Sequence, residues 1–223
     1  MKRQYKARTG GVPYAGEQAR RTCPRSLFLP ALIVLLAAFT SSCKPFNVKP
    51  NIEVPRAPNE SQVESNGVVI RGSVVDDEDW LSDTFDANLL LAGVIPVRIE
   101  LRNAGQAPIE LSRVRFEIKT IDGQNFRSTG PERAFKRALS YYGVSAWSKG
   151  LYKESRADFA SYAIDLKAPL APGASRQGLL YFLLRGEAAS GGSHTLVISR
   201  LRSSDSGDSG RVELKLNTWT RVD

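Results

Sequence analysis

Three stretches of this chain alternate apolar and charged residues with a period of two, and this alternation limits the fold more than any other feature. The stretches are 97–102, 113–120 and 211–216. A period of two places one face of a β-strand against a core and the other in water. Three further stretches, 68–75, 178–184 and 195–201, are more continuously apolar and are predicted to be central strands. Turn residues such as Asp122-Gly123 and Pro172-Gly173 separate them, so the sequence predicts a mainly β, antiparallel sandwich.

Residues 131–160 interrupt the β pattern with the spacing of a helix. Pro131 suits the first position of a helix, and Glu132 suits the positive end of the helix dipole. The apolar residues that follow, at i, i+4, i+7 and i+11, are Phe135, Leu139, Tyr142 and Ala146. Because Gly143 and Gly150 divide the region, we predict a helical insert of two short helices between strands of the sandwich.

The positive charge of the chain is concentrated before Cys43. Of the formal net charge of +8, residues 1–42 contribute +6, through seven Lys and Arg and one Glu, and the remainder contributes +2. A basic surface favours nucleic acid because it releases counterions from the phosphates. The remainder of the chain is nearly neutral, so no nucleic-acid partner is predicted.

The first 42 residues have the pattern of a secretory signal peptide. The basic segment is followed by the stretch 27–39, which is apolar apart from Pro30, and then by Thr40, Ser41 and Ser42. As a helix the apolar stretch rises about 20 Å, well short of the roughly 30 Å hydrocarbon core of a bilayer. A positive segment, a short apolar segment and small residues before a boundary are typical of a signal peptide that is removed from the mature protein.

Ser41, Ser42 and Cys43 resemble the lipobox of bacterial lipoproteins, although Thr40 stands where Leu, Val or Ile is commoner. The resemblance implies that the Cys43 thiol receives diacylglycerol, that the leader is cut before Cys43 and that the new amino group is acylated, for example with palmitate. Lys44 rather than Asp after the anchor resembles the outer-membrane default, if the bacterium is Gram-negative. An uncleaved amino-terminal anchor and ordinary secretion are the alternatives.

The chain is expected to have three parts. Residues 1–42 form the signal peptide, residues 43–66 a lipid-anchored tether and residues 67–223 the folded domain. The tether contains four prolines among polar residues and shows no apolar periodicity, which is typical of an extended spacer. Because Cys23 lies in the leader, the domain has no cysteine for a disulfide and depends on its core for stability.

Short sequences across the domain resemble a group of bacterial envelope lipoproteins of unknown function. They are the segments 85–88, 92–97, 170–173 and 178–182, together with Asn103 and the pair Pro131-Glu132. The resemblance covers roughly residues 67 to 217. It implies an immunoglobulin-like β-sandwich of the kind found as a binding or accessory module on cell envelopes, and it implies no catalytic residue.

The sequence contains no motif for catalysis or for cofactor binding. His194 is the only histidine, and no cysteine or second histidine of the domain can join it as a metal ligand. The acidic run 76–79, with Asp83 and Asp86 beyond it, is interpreted as a solvated loop; Ca²⁺ binding is the alternative, although the spacing and glycine of an EF-hand are missing. We predict no catalytic residue, metal or cofactor, with a glycan hydrolase that uses paired carboxylates as the alternative.

Eight of the nineteen aromatic residues lie between positions 126 and 162. Packing of the insert on the sandwich explains such a concentration. Alternatively, some rings remain exposed for recognition, because Tyr and Trp are favoured at interfaces and on sugar rings. The residues of this candidate partner surface are Tyr141, Tyr142, Trp147 and Tyr152. The sequence thus leads to the hypothesis of a lipid-anchored, non-catalytic binding or structural module of the bacterial cell envelope, with an envelope protein or a glycan as partner.

Overall fold

A computed structural model describes residues 46–144, 149–185, 191–203, 210–217 and 219–220. The leader, Cys43 and Trp147 lie outside these ranges, so what the sequence indicates for them stays a prediction. The strands are β1 (Ser61–Ser65), β2 (Val68–Val74), β3 (Val94–Asn103), β4 (Ile109–Glu110), β5 (Arg115–Thr120), β6 (Asn125–Thr129), β7 (Ser175–Leu183), β8 (Gly191–Gly192), β9 (His194–Ser203), β10 (Gly210–Lys215) and β11 (Trp219–Thr220). The helices are α1 (Glu78–Phe85), α2 (Pro131–Tyr141) and α3 (Lys149–Ser161).

Eight strands form one antiparallel sheet that nearly closes on itself. The strand order is β1-β2-β3-β7-β6-β5-β9-β10, with β4 paired to β9 beside this path. The end strands β1 and β10 contact each other. Asn217, after β10, strengthens this closure, because its Oδ1 accepts from the Val74 amide at 2.6 Å and its Nδ2 donates to the Val74 carbonyl at 3.4 Å. The mainly β, antiparallel fold class is confirmed.

The period-two pattern holds in β5 and β10 but not in β3. In β5 and β10 the apolar residues are buried and the charged residues between them are exposed or half-buried. In β3 the residues from Val94 to Ile99 are all buried, Arg98 included. One physical reason is that helix α2 contacts β3 and its neighbour β7 and covers a second face of these central strands. Arg98 is instead covered on the side of its partners Glu60 and Gln177.

The predicted helical insert consists of α2 and α3, which pack on the sheet through aromatic rings. Phe135 of α2 lies 5.4 Å from Phe159 of α3 between ring centroids, and Phe159 stacks on Tyr181 of β7 at 4.9 Å. Gly143, with a φ of 64°, lies in the left-handed region just after α2, whereas Gly150 lies inside α3. Most of the described aromatic residues of the insert therefore contribute to the core.

The chain that leaves α3 passes directly over the middle of β7. Ala163 pairs in parallel with Leu179, the Ile164 amide donates to the Leu179 carbonyl at 3.1 Å, and the Leu179 amide donates to the Tyr162 carbonyl at 2.7 Å. The neighbouring residue of β7 is Gly178, and a Cβ added there would lie 2.6 Å from the Ile164 backbone. This crossing needs a residue without a side chain.

Residues 46–66 belong to the folded domain, so the predicted tether over 43–66 is wrong from Phe46 onward. Phe46 and Val48 are buried in the core, and the Phe46 ring lies 5.5 Å from that of Phe135. The Ser155 hydroxyl donates to the Phe46 carbonyl at 2.8 Å. Further along the segment, β1 pairs with β2. Prolines exclude a regular helix here but leave the alternate apolar residues free to pack on the domain.

The acidic run after β2 begins helix α1 and is not the predicted solvated loop. Asp77 caps the helix, since its side chain accepts from the Trp80 amide at 2.9 Å, and Glu78 and Asp79 occupy the first turn, where the helix dipole favours negative charge. Asp86 ends the helix in the left-handed conformation, with a φ of 52°. The acidic residues thus serve to begin and end a helix.

Candidate functional site

Two of the predicted partner-surface residues, Tyr141 and Tyr142, lie side by side at the end of α2. Their side chains are 47% and 38% exposed, and with Ile121 they are the large hydrophobic residues that remain exposed in the part of the chain that the structure describes. Their rings meet edge to face, with centroids 5.0 Å apart. Neighbouring aromatic rings in water form an amphipathic patch that can cover an apolar or sugar surface.

Helix α2 holds this pair by burying the rest of its apolar face. Ala134, Phe135, Ala138 and Leu139 are buried against the domain. The predicted apolar row continues to Tyr142, which lies just past the helix end and is partly exposed. The Tyr142 hydroxyl donates to the Asn88 carbonyl at 3.0 Å, which fixes the position of its ring.

The other two predicted surface residues are not part of this exposed pair. Tyr152 of α3 is half-buried, with its ring centroid 5.5 Å from that of Phe135. Trp147 lies outside the described residues. Among the described residues of the candidate partner surface, the exposed ones are therefore Tyr141 and Tyr142.

The acidic residues do not assemble a metal site within the described ranges. No group of three or more His, Cys, Asp or Glu side chains there is close enough to share an ion. Three carboxyl groups have a pKa below their ordinary value: hydrogen bonds from Ser112, Thr120 and Lys136 lower the pKa of Glu110, Asp122 and Glu132 respectively. These shifts run opposite to the raised pKa of a general acid.

A buried arginine, Arg98, forms ion pairs with the carboxylates of Glu60 and Glu100. Arg98 is 2% exposed, donates to Glu60 and donates to Gln177 Oε1 at 2.9 Å. Its Nη2 lies 3.7 Å from Glu100, which Arg56 also approaches at 3.7 Å. Arg98 and Gln177 line a cleft of about 470 Å³. Glu53 also lines this cleft. The buried charge of Arg98 is paired within the protein, so Arg98 belongs to a structural ion-pair network.

His194 is buried at the start of β9. It is 2% exposed, pairs in register with Thr120 of β5, and its carbonyl accepts from the Leu216 amide at 2.9 Å. Burial disfavours the imidazolium and lowers the pKa of His194 below the ordinary 6.5, against smaller opposing effects of a backbone hydrogen bond at Ser193 and the charge of Asp122. The imidazole is therefore held neutral in the folded protein.

This burial predicts that stability falls on mild acidification. Below about pH 6.5 the imidazole of the unfolded chain binds a proton, whereas the buried imidazole of the folded chain stays neutral to lower pH. The contribution of His194 to the free energy of unfolding is therefore largest above that pH and decreases as the pH falls below it. We expect the melting temperature to drop between about pH 7.5 and pH 5, and His194→Gln to flatten this dependence. His194 is the only histidine, and carboxyl groups with a lowered pKa act only at lower pH. An unchanged pH profile in the variant would contradict the assignment.

Among the helices that the structure describes, none is long and apolar enough to cross a membrane.

No protein-family model and no curated protein matches the chain. Two solved structures have a partly similar backbone. A DUF4426 family protein from Pseudomonas aeruginosa PAO1 is 7% identical, with a TM-score of 0.37, and the alignment covers 73% of this chain and 98% of that one. MPT63, a secreted protein from Mycobacterium tuberculosis, is 15% identical, with a TM-score of 0.31, over 78% and 98% of the two chains.

Proposed function

We propose that this protein is a lipid-anchored, non-catalytic binding module of the bacterial cell envelope, with an immunoglobulin-like domain that contacts its partner through Tyr141 and Tyr142. The observation that carries the proposal is the exposure of this tyrosine pair on a helix whose other apolar residues are buried. The partner is an envelope protein or a glycan, since both bind to aromatic faces.

The tyrosine pair is well suited to binding because its two side chains are already partly restricted in the unbound protein, so less conformational entropy is lost on binding. A Tyr side chain presents a large contact area with few rotatable bonds. The hydrogen bond from Tyr142 to the Asn88 carbonyl and the edge-to-face contact with Tyr141 restrict both rings further. Restricting a contact surface in its bound conformation raises affinity by reducing the entropy lost on binding.

In this proposal, lipid on Cys43 attaches the protein to the membrane. The folded domain includes Phe46, so only Lys44 and Pro45 separate it from the anchor. The proposal therefore favours a partner in, or directly on, the same membrane. In a Gram-negative bacterium the residue after Cys43 favours the outer membrane.

A photo-crosslinking amino acid at position 141 tests the tyrosine surface in intact cells. We expect one discrete crosslinked product, and we expect Tyr142→Ala in the same chain to reduce its yield about tenfold, because central aromatic contacts often contribute more than 1 kcal/mol to binding. The matched control carries the crosslinker at position 121, where the exposed Ile121 offers a comparable apolar side chain. The proposal that Tyr141 and Tyr142 contact the partner would be refuted if the crosslinker gave the same products at positions 141 and 121. It would also be refuted if a folded protein with the crosslinker at position 141 gave no product.

A further inference from the structure

A second concave surface lies at the opposite end of α2 from the tyrosine pair. It is a cleft of about 440 Å³ between the start of α2, strand β6 and the end of β7. Four arginines line it, and they are Arg127, Arg133, Arg137 and Arg185. We refer to it as the arginine cleft. Its volume lies within the range of sites that bind small molecules.

The described residues that line the arginine cleft carry only positive charge. Its lining, as far as the structure describes it, contains no Asp or Glu, and adds the polar side chains of Asn125, Ser128 and Thr129. Arg133 and Arg137 lie one turn apart on α2, a spacing at which like charges destabilise a helix. Unlike the buried Arg98, these residues are exposed. A cleft that gathers like charges at a cost to the fold is well matched to an anion.

Two carboxylates near the cleft in the described part of the chain, Glu132 and Glu117, have partners outside the cleft or at its edge. Glu132 of α2 faces Lys136 at 3.1 Å and Arg156 at 3.6 Å, and it is not among the lining residues. Glu117 accepts from the Nε of Arg127 at 2.9 Å. Among the described residues, a carboxylate therefore pairs with Arg127, but none pairs with Arg133, Arg137 or Arg185.

Two of the guanidinium groups are held in place through Nε. Arg137 donates from Nε to the Ala92 carbonyl at 2.9 Å, and Arg127 donates from Nε to Glu117. An arginine held through Nε keeps its two terminal nitrogens as hydrogen-bond donors, which form a fork that matches the oxygens of a phosphate. Arg133 and Arg185 have no ion pair within the described ranges.

We propose that the arginine cleft binds a phosphate group, either of a soluble phosphorylated compound or of a phospholipid headgroup. Several arginine forks can share the oxygens of one phosphate, whereas a single carboxylate offers only two oxygens. The side chains of Ser128 and Thr129 supply hydroxyl donors at the same place, and Phe126, Leu183 and Leu184 supply an apolar wall for the remainder of the ligand. This proposal does not depend on the tyrosine pair.

Calorimetric titration of the full-length protein in non-ionic detergent tests the proposal, with pyrophosphate and dihexanoyl-phosphatidylglycerol as the two probes. The test variant is Arg133→Gln/Arg185→Gln, which removes two cleft charges that make no ion pair in the described chain. The control is Arg113→Gln/Arg115→Gln, which removes two exposed charges outside the cleft lining. The basic leader and the detergent affect all three proteins equally.

We expect the test variant to weaken binding of at least one probe about tenfold or more, and the control to change it less than about twofold, since each charge-assisted pair contributes strongly to affinity. A loss confined to pyrophosphate identifies a soluble phosphorylated ligand, and a loss confined to the short-chain lipid identifies a headgroup. Equal affinities in the test and control variants, or no binding of either probe to the unaltered protein, would overturn the proposal.

Discussion

Replacement of Gly178 by alanine is expected to lower the free energy of unfolding by about 3 kcal/mol, at the upper end of overpacking effects. The added Cβ would lie 2.6 Å from both Cα and N of Ile164, a distance that van der Waals repulsion forbids. Because the obstacle is backbone, no side-chain rotation relieves it. The chain leaving α3 has to move away from β7, which breaks the hydrogen bonds that join Tyr162 and Ile164 to Leu179.

Thermal unfolding followed by circular dichroism measures this effect. For a protein of this size, we expect a fall of roughly 6–12 °C in the melting temperature. Gly130→Ala is the matched control, because a Cβ at Gly130 meets no atom within 4 Å and its φ of −66° suits alanine. The control should cost less than about 1 kcal/mol even though Gly130 caps α2.

A second variant identifies the backbone as the source of the clash. If the Ile164 side chain were responsible, Ile164→Ala would restore stability to Gly178→Ala. We expect the double variant to be no more stable than Gly178→Ala alone, since the blocked atoms are Cα and N of Ile164. Restored stability in the double variant, or equal melting temperatures for Gly178→Ala and Gly130→Ala, would show that this crossing is not as close as described.

Cys43→Ser is expected to abolish stable membrane association. Each buried methylene of an acyl chain contributes about 0.8 kcal/mol, so two or three chains hold a protein durably where one does not. In cell fractionation, the unaltered protein should be found in the membrane fraction, and its intact mass should match a chain that begins at Cys43 with added diacylglycerol and a fatty acid. The variant should lack this mass and leave the membrane fraction.

Two outcomes would contradict the lipid anchor. A full-length, unacylated chain that stays in the membrane fraction with serine at position 43 would show that the leader itself is the anchor. A soluble, cleaved and unacylated chain would show ordinary secretion. Cys23→Ser is the control, because Cys23 lies in the leader and its replacement should change neither mass nor location of the mature protein.

The strands could be predicted because a sheet covered on one face imposes its period directly on the sequence. Phe116 and Ile118 alternate with charged residues and are buried as expected. Helix α2 could be predicted equally well, because its signals are Pro131 at the first position and the spacing of Phe135 and Leu139, which are all local in sequence. Local periodicity is enough to predict a strand or helix wherever that element packs one face against a continuous core.

Features that depend on distant partners could not be predicted in this way. Phe46 and Val48 look like part of a spacer until Phe135 and Ser155 are brought next to them by the fold. The burial of Arg98 likewise depends on Glu60 and Gln177, which approach it from other elements.

The arginine cleft is a further example, since its arginines come from β6, from α2 and from the end of β7. In the sequence, Arg133 and Arg137 are indistinguishable from the solvated face of a helix. Only the tertiary structure shows that Arg127 and Arg185 join them around one space. Of the candidate partner surface, the sequence identified Tyr141 and Tyr142 by residue type but left open whether they are buried or exposed, because that depends on how the end of α2 packs on the domain.

The contact between β1 and β10 has a consequence for the order in which the protein folds. These strands lie near opposite ends of the domain sequence, so the sheet cannot close until almost the whole chain is available. Folds that depend on such distant pairings form slowly, commonly in milliseconds to seconds. Until the sheet closes, the edges of β1 and β10 stay unpaired, and unpaired strand edges are sites at which a partly folded chain can associate with another.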